Sequence, residues 1–215
     1  MFQGFEPVDF AIMGIEGFAE RMQAIRERLR PKLEAIGQAF APRFSAEVGE
    51  ALYPHVAMHA RRRVHPPDDT WVAFSPSPRS YKSFAHYAVG ATVKGPYVHL
   101  VLKDEAARER AALGRALADS SALKLRRLSP MVSWHNVPGH DAPVVGPAMR
   151  PEDFERLAAA LRERKAFTMA VGRSWPARMH MIQDPEDFEE AAVDVVRELL
   201  PIYRLAAGPR LSVTA

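Results

Sequence analysis

Apolar side chains recur every three or four positions along several stretches of the chain, which is the spacing that gives an α-helix one apolar face. The first stretch runs from Gly17 to Phe40 and carries charged residues on its other side. Proline lacks a backbone N–H and interrupts helices, so we expect Pro31 to kink or split this helix and Pro42 to separate it from the next. The predicted helices span residues 17–40, 46–63, 103–118, 152–164 and 185–200.

Caps and prolines refine these boundaries. Ser45 occupies an N-cap position before the second predicted helix, and Pro54 should kink or break that helix near Leu52. Pro201 is expected to end the last helix. The opening residues 2–15 mix aromatic and aliphatic side chains with glycine and proline, which predicts an N-terminal segment packed irregularly on the core.

Shorter stretches rich in β-branched and aromatic residues predict strands. Those at 71–74, 84–93 and 97–102 are separated by turn residues and predict an antiparallel meander. Further strands are predicted at 123–128, 131–135 and 166–171, a loop at 136–147, and no defined state at 172–183. The pattern is typical of an α+β fold. Because no repeat or low-complexity linker interrupts it, we expect one domain over residues 1–215, with 208–215 as a disordered tail or an edge strand.

Composition narrows the class of protein. Apolar residues make up 47% of the chain and charged residues 26%, as in ordinary globular proteins. There is no cysteine, which excludes disulfides and thiol chemistry. No apolar run approaches the roughly 20 residues of a membrane helix, and the first residues lack the pattern of a signal peptide. We therefore expect a cytoplasmic protein with no membrane partner. The net charge of +3 is too small to indicate nucleic-acid binding by itself.

Potentially reactive side chains are concentrated between residues 54 and 90. His55 and His59 are four residues apart, so on the predicted helix both imidazoles would lie on one side. Three roles are compatible with this spacing: hydrogen bonds to the backbone or to Asp69, ligand binding, or a metal site completed by a third ligand. The zinc-protease pattern requires a glutamate after the first histidine, and Val56 stands there, so no metal ligand is assigned.

Cations follow directly after these histidines. Arg61, Arg62 and Arg63 point in different directions, so we expect one to face solvent, one to pair with Asp68 or Asp69, and one to face the sheet. Together with basic and aromatic residues of the next loop, the third would form a pocket suited to phosphate or carboxylate. The candidate ligand-binding residues are His55, His59, Arg62, Asp69, Arg79, Tyr81, Lys82 and His86.

Known catalytic motifs do not occur. There is no glycine-rich phosphate loop, no G-x-S-x-G and no dinucleotide fingerprint, so no catalytic residue or cofactor is assigned and enzymatic activity stays open. Trp71 is expected to pack in the core, whereas Trp134 and Trp175 lie in loop-like sequence and would stack on a ligand or cover the sheet edge. The leading interpretation is a protein that binds a small anionic ligand in a basic, histidine-rich groove. The alternative is a nucleic-acid or protein interaction module without catalysis, whose arginines lie on an open, flat face.

Four segments carry a family resemblance: GFEPVDF, PHVAMHARRRVHPPDDTWVAF, SYKSFAHYAVG and ELLPIYRLA. They resemble the YktB-like bacterial proteins, a domain of unknown function found mostly in Bacillus-type organisms, and the likeness extends over nearly the whole chain. The resemblance implies a two-layer α+β sandwich whose antiparallel sheet is covered by helices. It also implies a topology similar to the catalytic domains of biotin-protein ligases and class II aminoacyl-tRNA synthetases. It implies no catalytic residue, because a shared fold does not carry a function with it.

Overall fold

The computed structural model describes residues 1–60, 62–119, 125 and 128–208. The chain divides into two compact units. Unit 1 contains Met1–Tyr81, Tyr87–His99 and Arg173–Arg197, and unit 2 contains Lys82–His86, Leu100–Gly172 and the chain from Glu198 onward. The expectation of a single domain stays a prediction. In the part of the chain that the structure describes, no helix is both long and apolar enough to cross a membrane.

Helices and strands are mixed along the chain, as predicted. The helices among the described residues are α1 (Pro7–Ala11), α2 (Phe18–Ala24), α3 (Arg30–Val48), α4 (Ala107–Ala118), α5 (Pro151–Glu163) and α6 (Pro185–Ala207). Short 3-10 turns lie at Ile12–Gly14, Gly146–Ala148 and His180–Gln183, and a π-helical turn lies at Ile25–Leu29. The strands are β1 (Tyr53–Val56), β2 (Asp69–Ser75), β3 (His86–Thr92), β4 (Gly95–Leu102), β5 (Ser133–His135), β6 (Val144–Val145) and β7 (Met169–Ser174).

These strands form a sheet in the order β1-β2-β3-β4-β7-β5-β6. β2 pairs antiparallel with β1 on one side and with β3 on the other. A two-residue turn at Val93 and Lys94 joins β3 to β4, so the predicted meander is confirmed. The α+β class is confirmed with it.

The first predicted helix changes its turn near Pro31 and does not break there. The π-helical turn at Ile25–Leu29 joins α2 to α3, and Pro31 is the second residue of α3. In a regular α-helix the proline ring would clash with the carbonyl four residues earlier, and the wider i→i+5 turn lies at that point. The wider turn therefore lets the chain continue as a helix on both sides of the proline.

The second predicted helix, over residues 46–63, is wrong. α3 continues through Pro42 to Val48 and ends at Gly49, whose φ of +83° gives the left-handed cap that glycine adopts without strain. Ser45 is not an N-cap: its hydroxyl donates to the carbonyl of Ala41 at 2.6 Å and accepts from the N–H of Leu52 at 2.9 Å. The chain then enters strand β1. His55 and His59 consequently share no helix.

One face of the unit 1 strands is covered by helices. Phe44 of α3 lies 4.7 Å from Phe74 of β2 and 6.1 Å from Tyr87 of β3, measured between ring centroids. The Tyr87 hydroxyl donates to the carbonyl of Val196 in α6 at 3.3 Å. At Gly37 of α3 the backbone comes so close to β1 and β2 that an added Cβ would lie 2.9 Å from the ring of Pro54 and 3.3 Å from Val72.

The N-terminal segment is tied to this core, as predicted. Phe5 is fully buried and packs 5.4 Å from Phe188 of α6. The buried carboxylate of Asp9 accepts from Arg28 and from Lys32, each at 2.6 Å, and from the N–H of Glu6 at 2.7 Å. A fully buried carboxylate is tolerated here because charged and backbone donors surround it.

In unit 2, α4 and α5 are joined by a buried arginine. Arg110 of α4 donates to carbonyls at the end of α5, including those of Arg164 and, at 3.2 Å, Lys165. The last carbonyls of a helix have no intrahelical partner, so a guanidinium is a favourable cap there. The carboxylate of Glu109, also buried, accepts from the N–H of Ala85.

Three further expectations need correction. α6 continues past Pro201 to Ala207 rather than ending at residue 200. Trp134 and Trp175 are buried, at 0% and 6% exposed: Trp134 belongs to β5 and packs 5.7 Å from Phe154, and Trp175 directly follows β7. Trp71, expected in the core, keeps part of its surface exposed. Of the strand predicted at 123–128, only 125 and 128 are described, and neither is in a strand.

Candidate functional site

Three of the candidate residues, His55, Asp69 and Tyr81, lie at the strand face of unit 1 that points away from α3. Side chains alternate between the two faces of a strand. Since Pro54, Val72 and Phe74 face α3, their neighbours in the register face the other way. This face, which we call the ring face, carries His55 of β1, Trp71 and Ala73 of β2, Ala88 and Gly90 of β3, and Tyr97 and His99 of β4.

Tyr97 crosses the ring face above Gly90. A Cβ added at Gly90 would lie 2.3 Å from Cζ of Tyr97, so the phenol ring occupies the space that any larger residue would need. The hydroxyl of Tyr97 then reaches Asp69 at the start of β2 and donates to its Oδ2 at 2.8 Å. Burial raises the pKa of Tyr97 well above 10, and the charge of Asp69 raises it further. The phenol is therefore held protonated as the donor to Asp69.

His99 extends this arrangement toward β7. Its imidazole stacks on the ring of Tyr97, with centroids 4.4 Å apart and planes inclined by 21°. Its Nε2 lies 3.4 Å from the hydroxyl of Ser174. Tyr97, His99 and Ser174 were not among the candidate residues. The alternation of Tyr97 and His99 in the predicted strand 97–102 places both on one face and was the available signal.

The side chains of His55 and Tyr81 contact each other at the end of the ring face formed by β1. The His55 Nε2 lies 2.8 Å from the carbonyl oxygen of Ser77, and since a carbonyl only accepts, this nitrogen carries the proton. The imidazole packs 5.8 Å from the ring of Tyr81. Tyr81 is also near enough to Tyr97 to contribute to the raised pKa of that phenol.

His59 lies in the segment between β1 and β2, at the edge of the sheet. Its φ of +50° falls in the left-handed region that few non-glycine residues occupy. Its Nε2 is 3.2 Å from the hydroxyl of buried Thr70, and its ring stands perpendicular to the indole of Trp71 at 5.5 Å. His59 is therefore linked to the start of β2 through Thr70 and Trp71.

The arginines lie in the two segments that border the ring face. Arg62 is exposed and donates to the carbonyls of His65 and Pro66 at 3.4 and 3.2 Å, so it folds back on its own segment. Arg63 does the same with Ala60, at 3.2 Å. Arg79 is exposed in the segment after β2. Arg61 lies outside the described residues.

Two candidate residues belong to unit 2. The Lys82 ammonium lies 3.7 Å from Glu105, and the two side chains are 41% and 44% exposed. His86 is only 1% exposed, and its Nδ1 bonds the carbonyl of Phe84 at 2.8 Å. Their participation in one site with the unit 1 residues stays a prediction.

A second polar cluster lies in unit 2 at the start of α5. Asp153 is fully buried and accepts from Nε2 of His140 at 2.7 Å, from the N–H of Arg150 at 2.9 Å and from the guanidinium of Arg156. Burial alone would raise the pKa of Asp153, but the hydrogen bonds from His140 and Arg150 outweigh it and lower that pKa to about 2. Residues 139–145 and Ala148 line an open depression of about 590 Å³ beside Asp153's partner His140.

Metal coordination has little support in the described chain. The paired-histidine hypothesis required His55 and His59 on one helix, and that helix does not exist. Within the described residues, no three histidine or carboxylate side chains are close enough together to hold a metal ion.

The fold and the ring face define an α+β protein whose sheet presents aromatic and histidine side chains on the face opposite α3. A family model described as a domain of unknown function, DUF1054, matches residues 5–203. A UPF0637 protein of Lysinibacillus sphaericus is 32% identical over 203 residues, which cover 94% of this chain and 95% of that protein. UPF0637 proteins of Bacillus cytotoxicus and Bacillus mycoides are 31% and 32% identical over 205 and 206 residues, each covering 94% of this chain and 97% of the relative. The chain belongs to the DUF1054 family, and the resemblance seen in its sequence is confirmed.

Proposed function

We propose that the protein binds a small ligand bearing a phosphate or carboxylate group on the ring face of unit 1. The observation that carries the proposal is the grouping of His55, Trp71, Tyr81, Tyr97 and His99 at one strand face, bordered by segments that carry exposed arginines. Aromatic rings supply apolar contact area with few rotatable bonds, and imidazoles add hydrogen bonds at fixed positions. That combination is typical of small-molecule sites.

The burial pattern supports the same interpretation. Tyr97 and His99 are 7% and 8% exposed and form a floor, whereas His55, Trp71 and Tyr81 around it are partly exposed. A buried floor with an accessible rim lets a ligand lose most of its hydration while it keeps a route of entry. The residues of β2 and β3 on this face are small, namely Ala73, Ala88 and Gly90, and the Tyr97 ring lies above Gly90.

The arginines supply the preference for an anion. Arg62 holds its two carbonyl partners only at 3.2–3.4 Å and in solvent, so it can exchange them for a ligand oxyanion at small cost. Arg79 is likewise exposed in the other bordering segment. A guanidinium binds phosphate or carboxylate through paired, charge-assisted hydrogen bonds that are stronger than neutral ones. The topological likeness to ligase and synthetase domains remains a prediction and adds nothing to this proposal.

A thermal-shift screen with inorganic phosphate, AMP, ribose 5-phosphate, acetate and benzoate tests the proposal. A ligand that binds only the folded protein raises the melting temperature by mass action. We expect at least one of these compounds to raise the melting temperature of the wild-type protein at millimolar concentration. In Arg62→Ala or Arg79→Ala this rise should be absent or should require at least ten-fold more ligand. Arg26→Ala is the matched control, because Arg26 is exposed on the π-helical turn of the same unit.

If no anion stabilises the wild-type protein, or if Arg26→Ala has the same effect as the other two variants, the proposal is wrong. Binding of single-stranded or duplex nucleic acid with a steep salt dependence, in the absence of any shift by small anions, would replace it with the open basic surface.

A further inference from the structure

We propose that His140 of unit 2 is a phosphoryl acceptor, whose Nδ1 takes a phosphoryl group from an acyl phosphate or a phosphoramidate. The site is the open depression beside the start of α5. It is separate from the ring face and does not depend on the function proposed there. Three features carry the proposal: the hydrogen bond of His140, the accessibility of its second ring nitrogen, and the arginines beside it.

The imidazole of His140 is fixed as one tautomer. Its Nε2 lies 2.7 Å from Oδ1 of Asp153, a fully buried carboxyl group with a pKa of about 2 that is ionised at neutral pH. A carboxylate only accepts, so Nε2 of the neutral imidazole carries the proton and Nδ1 carries the lone pair. In many hydrolytic sites a buried aspartate orients a reactive histidine in the same way.

The lone pair of Nδ1 is open to solvent. His140 lines the depression of about 590 Å³ together with Asp141 and with small and apolar residues. In the part of the chain that the structure describes, Nδ1 has no hydrogen-bond partner and is not one of the buried side-chain atoms that lack a partner, so it is accessible. An accessible imidazole nitrogen that keeps its lone pair is a nucleophile.

The loop that carries His140 is fixed by its own backbone and by α5. Asn136 and Gly139 have φ angles of +60° and +89°. Arg156 of α5 donates to the carbonyl of Pro138 at 2.8 Å. A left-handed conformation is uncommon in residues other than glycine, and it persists where surrounding contacts hold it. The position of Nδ1 is therefore set before a phosphoryl donor binds.

Two guanidinium groups are placed to bind the oxygen atoms of a phosphoryl group. Arg156 binds the same oxygen of Asp153 as His140 does, and Arg150 binds the other one at 3.4 Å. Their side chains are 40% and 61% exposed, and among the described residues Nη1 of Arg156 and both Nη atoms of Arg150 have no hydrogen-bond partner. Guanidinium N–H groups bind phosphoryl oxygens through charge-assisted hydrogen bonds. A nucleophile next to such donors suits phosphoryl transfer, which depends on positioning and on stabilisation of charge.

The transfer step needs no additional proton acceptor. The Nδ1 lone pair attacks phosphorus, the N–P bond forms, and the P–O bond of the acyl phosphate breaks, so that its electron pair leaves on the carboxylate. Nε2 keeps its proton, and the product ring is an imidazolium whose positive charge faces the ionised Asp153. With the protonated form of a phosphoramidate, the P–N bond breaks and ammonia leaves.

Separate incubations of the full chain with acetyl phosphate and with phosphoramidate at pH 8 test the proposal. His65 and His180 are exposed, whereas the side chain of His140 is only 28% exposed, so accessibility alone predicts slower labelling of His140. We expect His140 to be labelled at least about ten-fold faster than either of them. Mass spectrometry of peptides kept at neutral pH measures the rates, because acid hydrolyses the N–P bond. Nitrogen-15 NMR should show the proton of the neutral His140 ring on Nε2.

Two variants separate the nucleophile from the oxyanion donors. Arg150→Gln should slow labelling by acetyl phosphate at least about five-fold. It should leave the reaction of His140 with diethyl pyrocarbonate, a neutral reagent, within about two-fold. Arg115→Gln is the matched control, because Arg115 is an exposed arginine of α4 in the same unit. Asp141→Asn should accelerate labelling by acetyl phosphate by about two- to five-fold, since the exposed charge of Asp141 repels the oxyanion.

Three results would overturn the proposal. The first is labelling of His140 that is no faster than that of His65 and His180. The second is a neutral His140 ring with its proton on Nδ1. The third is an equal rate of labelling by acetyl phosphate in the wild type and in Arg150→Gln, because the guanidinium would then take no part. Circular dichroism and melting curves check that each variant is folded.

Discussion

Replacement of Asp153 by asparagine should destabilise unit 2 at neutral pH by about 1–3 kcal/mol, and by much less at pH 2. The buried carboxylate accepts from His140, from the backbone of Arg150 and from the guanidinium of Arg156. An asparagine oxygen can keep one of these bonds. Its NH₂ group, however, presents donors where the remaining neighbours also donate.

The pH dependence follows from the lowered pKa of Asp153. A carboxyl group whose pKa is 3.8 in the unfolded chain and about 2 in the folded protein stabilises the fold above pH 4, and this contribution is lost as the pH falls through 2. The full shift corresponds to about 2.5 kcal/mol. The side chains of Arg150 and Arg156 are 61% and 40% exposed, so solvent screens their attraction and about 1–2 kcal/mol is the reasonable expectation.

Urea unfolding at pH 7 and pH 2 measures this contribution. Trp134 reports on unit 2 when Trp71 and Trp175 are both replaced by phenylalanine. In that background the stability difference between the parent and Asp153→Asn should shrink by about 1–2 kcal/mol from pH 7 to pH 2. Glu152→Gln is the matched control, because Glu152 is the exposed preceding residue of the same helix. A difference that is the same at both pH values, or an equal effect of Glu152→Gln, would refute the reasoning.

Two predictions concern unit 1. Gly90→Ala should lower the free energy of unfolding in urea by about 1–3 kcal/mol, because the new Cβ would lie 2.3 Å from Cζ of Tyr97 and displace the phenol. In a Tyr97→Leu background the same substitution should cost less than about 1 kcal/mol. A double-mutant cycle that shows no coupling between the two positions would contradict this contact. His59→Ala should lower stability by about 1–3 kcal/mol through loss of the hydrogen bond to buried Thr70. His59→Asn, which tolerates a positive φ, should recover part of that loss, and a His59→Ala melting curve identical to wild type would show that His59 does not hold this segment.

Local periodicity was sufficient to predict strands β2–β4 and helix α4, whereas two wrong helix boundaries come from prolines. Pro42 and Pro201 lie inside helices, although each removes a hydrogen bond from the carbonyl four residues earlier. Those carbonyls belong to Gln38 and Arg197, and all four residues are exposed, so both prolines lie on the solvent side of their helices, where water is at hand as a donor. Which side of a helix faces solvent depends on the tertiary structure. The rule that proline ends a helix takes no account of this, and so it placed the helix boundaries too early.

The ring face was predicted only in part, for a similar reason. The prediction of a helix over 46–63 did not take Gly49 into account, although glycine commonly ends a helix by adopting a left-handed conformation. As a result His55 and His59 were wrongly placed on one helix. The hydrogen bond between Tyr97 and Asp69 joins residues 28 positions apart. It depends on the register of β2, β3 and β4 and on the space above Gly90, and neither is encoded in any short stretch of sequence.

The π-helical turn at Ile25–Leu29 sets the angular phase of the long helix that follows it. An α-helix advances by about 100° per residue, and an i→i+5 turn takes up one residue more than an i→i+4 turn, so Ile25–Leu29 rotate the chain by about as much as four α-helical residues. The wider turn absorbs the extra residue, and the fully buried Leu33 and Phe40 keep their place in the core. If the same five residues formed a regular α-helix, α3 would rotate by nearly the angle of one residue relative to α2, and Gly37 would leave its place against Pro54. Deletion of one residue from this turn should therefore be better tolerated than insertion of one residue into the regular helix that follows it.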